Sequence, residues 1–121
     1  MRIILKRYDI ETVQSMMSLY FICGTPNTKD IHTTLTEACK GGITCFQFRE
    51  KGEGALVGEE KAQLARELQH ICKEYGVPFI INDDVELAEK IGADGVHVGQ
   101  EDSNVELIRE KMPDAILGLS I

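Results

Sequence analysis

Leu19-Tyr-Phe-Ile-Cys23 is a short run of apolar, aromatic and β-branched residues that stops at Gly24-Thr25-Pro26-Asn27, the pattern of a buried strand followed by a turn. Behind it Ile31, Leu35, Ala38 and Cys39 recur at helical spacing, and Gly41-Gly42 closes the helix with residues that tolerate the left-handed conformation. Ile43 to Arg49 predicts a second strand, and a long helix follows with Leu64, Leu68, Ile71, Cys72 and Tyr75 on one side, ended by Gly76 and Pro78. Phe79-Ile-Ile81 predicts a third strand, Leu87, Ala88 and Ile91 a helix between Asp84 and Gly92, and Val96 to Val98 a very short fourth strand. Ser103 and Glu106 have capping-box spacing, which starts a helix with Val105, Ile108 and Met112 facing inward before Pro113; Ala115 to Ser120 is a fifth strand. Ahead of all these, residues 1–17 predict a preliminary helix capped by Asp9, with Glu11 in its first turn and Val13, Met16 and Met17 on one face. Thr12 stands where a capping box wants Glu or Gln.

Strands that alternate with helices through short connections imply parallel strands and right-handed crossovers, so the fold class is α/β. The strands recur about every 24 residues, and a full eight-unit barrel needs roughly 250 residues. The 121 residues therefore form either a five-stranded open sheet or the first part of a barrel. No linker, low-complexity tract or charge block divides residues 1–121, which read as a single domain. The formal net charge of −7 and the absence of a basic block argue against nucleic acid and membrane surfaces as partners. No apolar run is long enough for a transmembrane span, and no secretory signal is expected. Cys23, Cys39, Cys45 and Cys72 lack C-x-x-C spacing and sit inside apolar patterns, which suits buried thiols in a reducing compartment, the cytoplasm.

Each predicted strand breaks into polar or Gly residues at its C-terminal end, and in parallel α/β sheets these ends share the rim where ligands bind. Period-two alternation puts Gln47, Arg49 and Lys51 on one face of the second strand and Phe46 and Phe48 on the other. An amide, a guanidinium and an ammonium converging on one cavity suit a polyanion carrying a polar ring. Taken alone, Arg49-Glu50-Lys51 reads more simply as a solvated salt-bridge face. Asn82-Asp83-Asp84 ends the third strand; Asp84 is expected to cap the next helix, while two carboxylates in a row plus Asp102 suit a hard divalent ion. His97 alternates against Val96 and Val98 and so points into the rim, where, with no second histidine at ligand spacing, it has a packing or ring-stacking role.

With these residues in place, the sequence resembles the N-terminal part of the thiamine phosphate synthase family, also called thiamine phosphate pyrophosphorylase. LYFICGTPN, the QFREK of Gln47 to Lys51, INDDVELA from Ile81 to Ala88, ADGVHVGQED from Ala93 to Asp102 and ILGLS from Ile116 to Ser120 match successive strand-end motifs in order and spacing. The resemblance implies a TIM (β/α)8 barrel, here truncated to about five βα units. It also implies a transferase that joins hydroxymethylpyrimidine diphosphate to thiazole phosphate and releases pyrophosphate. By that likeness Arg49, Lys51 and Ser120 are catalytic and, with Asn82, hold the diphosphate; Asp83 and Asp102 hold Mg2+. Gln47 and His97 line the pyrimidine pocket, and Phe48 and Glu50 count with the substrate-binding motif.

Family members continue for three strands beyond Ser120-Ile121, with a lysine after the sixth strand and Gly-rich loops for the thiazole phosphate. Without those strands, Leu19–Cys23 and Ala115–Ser120 are expected to be open edges, and Ile43, Cys45 and Ile80 to face inward without an opposing layer. Self-association as a homo-oligomer, or complementation by a C-terminal fragment, follows as an expectation. Two further readings are a thiazole tautomerase of the same superfamily, whose catalytic histidine is expected beyond the fifth strand, and a non-catalytic fragment. The tautomerase has no leaving diphosphate and no need for the ion that Asp83 and Asp102 would hold.

Overall fold

The computed structural model describes residues 2–4, 17–99 and 105–120, with residues 2–4, 17 and 120 described by backbone only. One sheet runs through them in the order β1-β6-β5-β4-β3-β2. Its strands are β1 (Arg2–Ile4), β2 (Tyr20–Cys23), β3 (Cys45–Phe48), β4 (Phe79–Asn82), β5 (Gly95–Gly99) and β6 (Ile116–Ser120). Strands β2 to β6 are mutually parallel and joined by helices α1 (Ile31–Lys40), α2 (Gly58–Glu74), α3 (Val85–Ile91) and α4 (Val105–Lys111). Short 3-10 turns occupy Met17–Leu19 and Thr25–Asn27. This is the α/β alternation the hydrophobic pattern predicts. No helix among the described residues is long and apolar enough to cross a membrane.

Caps explain several element boundaries. Asp30 starts α1 by accepting from the Thr33 amide at 3.2 Å, and Asp84 starts α3 by accepting from the Leu87 amide at 3.1 Å. Gly92 ends α3 in the left-handed conformation at φ 65. Ser103, the expected cap of α4, lies outside the described residues.

Two expectations are corrected at the N-terminal end. Arg2–Ile4 is a strand and not the start of a preliminary helix; it pairs antiparallel with β6, Arg2 opposite Leu119 and Ile4 opposite Leu117. The edge of β6 is therefore covered, and among the described residues the sheet ends at β1 on that side and at β2 on the other. The pairing partner lies far along the chain, so no local periodicity announces it. Asp9, Val13 and Met16 lie outside the described residues.

All four helices pack on one face of the sheet. The core there joins Leu35, Leu68, Cys72, Leu87, Ala88 and Ile108 to Phe46, Phe48, Phe79, Ile81, Val96 and Leu117 from the strands. Phe46 and Phe79 have ring centroids 5.8 Å apart, and Phe48 stacks on Phe79 at 6.3 Å. Each such fully buried side chain contributes about 1.5–3 kcal/mol relative to exposure. The opposite face carries a smaller cluster of Cys45, Ile80 and Ile116, with Tyr20 against it. Gly95 makes room for it, since a Cβ there would lie 2.8 Å from the Ile80 Cδ1. Ile43 packs with the helix-side core, contrary to the alternation counted from Cys45, because β3 begins only at Cys45 and the pleat does not extend back to Ile43.

Candidate active site

The parallel register aligns the strand C-terminal ends. Gln47 lies beside Ile80, Asn82 beside His97, His97 beside Gly118, and Gly99 beside Ser120. Gln47, Asn82 and His97 thus share one rim, on the sheet face away from the helices.

Gln47 is 2 % exposed and central. Its Oε1 accepts from the Asn82 Nδ2 at 3.0 Å, and its Nε2 donates to the Tyr20 hydroxyl at 2.9 Å. These bonds link β2, β3 and β4 and hold the amide in one orientation. Burial pushes the Tyr20 phenol up to about 12, so it keeps its proton and stays a donor near neutrality. Sequence reasoning missed Tyr20, which sits in an apolar strand with nothing local to mark it. Its position opposite Cys45 and one residue ahead of Phe21 puts it on the face of Gln47, the one signal available.

Asp83 occupies the left-handed region at φ 64, rare for a residue with a side chain and frequent at functional turns. The conformation is held on both sides: the Asp83 amide donates to the His97 carbonyl at 2.7 Å, and the Asp84 amide to the Asn82 carbonyl at 2.8 Å. The Asp83 carboxylate takes a bond from the Lys51 Nζ at 3.1 Å, across the ends of β3 and β4. Asp84 is committed elsewhere, capping α3 and accepting from the Lys61 Nζ at 3.0 Å. His97 is buried, which pushes its imidazole below the ordinary histidine range, with the Asp83 carboxylate opposing.

The remaining predicted residues divide. Arg49 is exposed at the end of β3, its amide bonded to the Cys23 carbonyl at 2.9 Å. Ser120 ends β6 on the same rim, beside Gly99. Phe48 turns to the helix side and stacks on Phe79, while Glu50 is 6 % exposed and accepts from the Thr25 and Leu56 amides. Neither the Phe48 nor the Glu50 side chain lines the rim face that Gln47 occupies. Asp102 lies outside the described residues. Among the described residues no three His, Cys, Asp or Glu side chains gather as a metal cluster.

A groove of about 790 Å³ lies at the opposite end of the strands between the last turns of α2 and α3. Its lining includes His70 together with Arg66, Lys73 and Lys90, the last three cations of the kind that offset the carbonyl ends of helices. Two of them are already paired, Lys90 with Glu59 at 3.2 Å and His70 with Glu74 at 3.0 Å. Strand polarity favours the other rim, where the C-terminal ends converge.

Comparison with known proteins agrees with this architecture. A thiamine-phosphate synthase of Bacillus cereus is 60% identical over 117 residues, covering 96% of this chain and 53% of its own length. Thiamine-phosphate synthase 1 of Streptococcus pneumoniae is 59% identical over 110 residues, covering 89% of this chain and 53% of its own length. The chain thus spans about half the length of the curated relatives it matches. Among solved structures, a thiamine phosphate pyrophosphorylase from Pyrococcus furiosus superposes with a TM-score of 0.80 at 30% sequence identity, over 90% of this chain and 52% of the other. The family model described as thiamine monophosphate synthase matches residues 19–121, from the residue before β2 through the end of the chain, and the chain belongs to that family.

Proposed function

We propose that this chain forms the pyrimidine-diphosphate half of a thiamine phosphate synthase, in which hydroxymethylpyrimidine diphosphate and thiazole phosphate give thiamine phosphate and pyrophosphate. The observation that carries the reading is the hydrogen-bonded row Tyr20–Gln47–Asn82, flanked on one rim by Arg49, the Lys51–Asp83 pair and His97. In this reading β2 to β6 are the first five strands of an eight-stranded barrel, and the edge of β6 now paired with Arg2–Ile4 is where the next parallel strand sits.

The roles follow from the chemistry of each group. The fixed Gln47 amide and the neutral His97 ring suit the polar edge and the face of a pyrimidine. Arg49 offers a planar fork for adjacent phosphate oxygens, Lys51 a point charge, and Asn82 and Ser120 neutral donors. Phe48 and Glu50 serve the site from behind, one by packing and one by holding loops. Carbon–nitrogen bond formation needs the diphosphate to depart, so the protein's task is to stabilise charge accumulating on the leaving oxygens.

Magnesium fits what is present. Asp83 offers a carboxylate on the rim that, among the described residues, only Lys51 bonds, and magnesium characteristically takes one or two carboxylates together with water and substrate phosphate. Asp83 and Asp102 would hold the ion, whose contribution is to neutralise diphosphate charge. Without ligand, Lys51 and Asp83 neutralise each other; with a diphosphate at the rim, Lys51 turns to phosphate. Four free, buried thiols support a reducing compartment such as the cytoplasm.

The test is calorimetric titration of the 121-residue chain with hydroxymethylpyrimidine diphosphate and, separately, thiazole phosphate, each with magnesium. The proposal expects binding of the first only, and turnover of both once the C-terminal half of a related synthase is added. No binding of the pyrimidine diphosphate, or binding that survives Asp83→Asn together with Arg49→Ala, would refute it.

A further inference from the structure

Glu50 is a buried carboxylate set in the chain between the two rim cations, Arg49 and Lys51, yet its own hydrogen bonds go to the loops that follow β2 and β3. Among the described residues these are three donors from two loops: the Thr25 amide to Oε1 at 2.6 Å, the Thr25 hydroxyl to Oε2, and the Leu56 amide to Oε2 at 2.8 Å. Thr25 opens the 3-10 turn after β2, and Leu56 lies near the end of the loop between β3 and α2. A carboxylate at 6 % exposure is stable only where its lone pairs are filled, and here the filling donors dictate where it sits. The backbone around it is pinned at the same place. The Arg49 amide bonds the Cys23 carbonyl at 2.9 Å, and Gly24 lies so close that a Cβ on it would be 2.9 Å from both the Arg49 carbonyl carbon and the Glu50 Oε1.

We propose that Glu50 is a positioning residue: without touching the ligand, it ties the Thr25–Asn27 turn to the 50–56 loop and so sets where Arg49 and Lys51 project. This rests on reading the rim as a diphosphate site. It also explains why an acidic residue sits between two cations offered to an anion. A carboxylate there would weaken anion binding if it faced the ligand, and turned inward it fixes both neighbours.

Three roles for Glu50 predict different outcomes for Glu50→Gln. If Glu50 were only a nearby negative charge, neutralising it would raise the local positive potential and tighten pyrophosphate binding. If it were a ligand contact, binding would weaken while the two loops stayed as they are. As a positioning residue its replacement must loosen the loops and weaken binding together, because the Gln side-chain nitrogen cannot accept from the Thr25 or Leu56 amide that it faces.

The experiment combines amide hydrogen exchange at Thr25 and Leu56 with calorimetry of inorganic pyrophosphate and magnesium, on the parent chain, Glu50→Gln and Thr25→Val, below the melting temperature of each. Glu50→Gln should lose protection at one or both amides and bind pyrophosphate about tenfold more weakly or worse, the scale for losing a group that orients a direct ligand. Thr25→Val keeps the carboxylate and removes one donor, so it should shift both readouts the same way by less; it also serves if Glu50→Gln does not fold. Equal or tighter binding by Glu50→Gln, weaker binding with both amides still protected, or a Thr25→Val chain with protection lost and binding unchanged would each overturn the proposal. A parent chain that binds no pyrophosphate would instead refute the diphosphate reading of the rim, and the exchange data would still decide whether Glu50 ties the loops.

Discussion

Gly24→Ala is expected to destabilise the chain although the glycine's backbone is ordinary for any residue, with φ −143. The cause is space. A Cβ at Gly24 would lie 2.9 Å from the Arg49 carbonyl carbon and 2.9 Å from the Glu50 Oε1, and nearer still to the Arg49 carbonyl oxygen, whereas ordinary contact begins at 3.4 Å. The carbonyl oxygen sets the requirement: the β2 and β3 loop backbones must separate by about 1 Å, in a region where overpacking costs about 1–3 kcal/mol. That shift also lengthens the bond from the Arg49 amide to the Cys23 carbonyl, now 2.9 Å, for about 1 kcal/mol more. The sum is about 2–4 kcal/mol, readable as a lower urea midpoint at an unchanged slope. Gly41→Ala is the control: Gly41 has φ −76 and its nearest contacts for a Cβ are 3.4 Å, so alanine should be neutral or stabilising by about 0.4–1 kcal/mol. Equal midpoints for the two variants would refute the reasoning that close approach of Arg49 is what position 24 requires.

Arg49→Lys should weaken magnesium pyrophosphate binding by about 1–3 kcal/mol, because it keeps the charge and removes the fork; unchanged calorimetric affinity would make Arg49 an ordinary surface charge. Stability should fall as pH is lowered from about 6.5, since burial holds His97 neutral in the folded chain and the unfolded chain takes up the proton first. The contribution is complete above the unfolded value and lost below it, so the slope of urea midpoint against pH between 7 and 5 should flatten in His97→Gln, and an identical slope would contradict it. The Cys45 thiol, fully buried and pushed up to about 12 by that burial, should react with a thiol reagent only on unfolding; labelling of Cys45 in the folded chain would show the inner face open to solvent.

The parallel strands were legible because each is a short apolar run cut by Gly, Pro or polar residues, and that local chemistry survives in the fold. Gln47 was legible for a second reason: Phe46 and Phe48 on either side demand the helix-side core, so parity leaves the amide the other face. Parity failed at Ile43, which lies before β3 begins. It could not reveal the role of Glu50 either, because the loop after β3 abandons the pleat and turns the carboxylate towards Thr25 and Leu56. Strand β1 was illegible in principle. Three residues of Arg-Ile-Ile carry no period, and what makes them a strand is the edge of β6 at the other end of the chain.

In the proposed function the strand C-terminal rim, and not the groove at the other end, receives the diphosphate. Amide chemical-shift mapping on the isotope-labelled chain titrated with magnesium pyrophosphate tests it directly. Shifts concentrated at Arg49 to Lys51, Asn82, Asp83 and His97 are the predicted result; shifts concentrated at Arg66, His70, Lys73 and Lys90, with the rim silent, would contradict it.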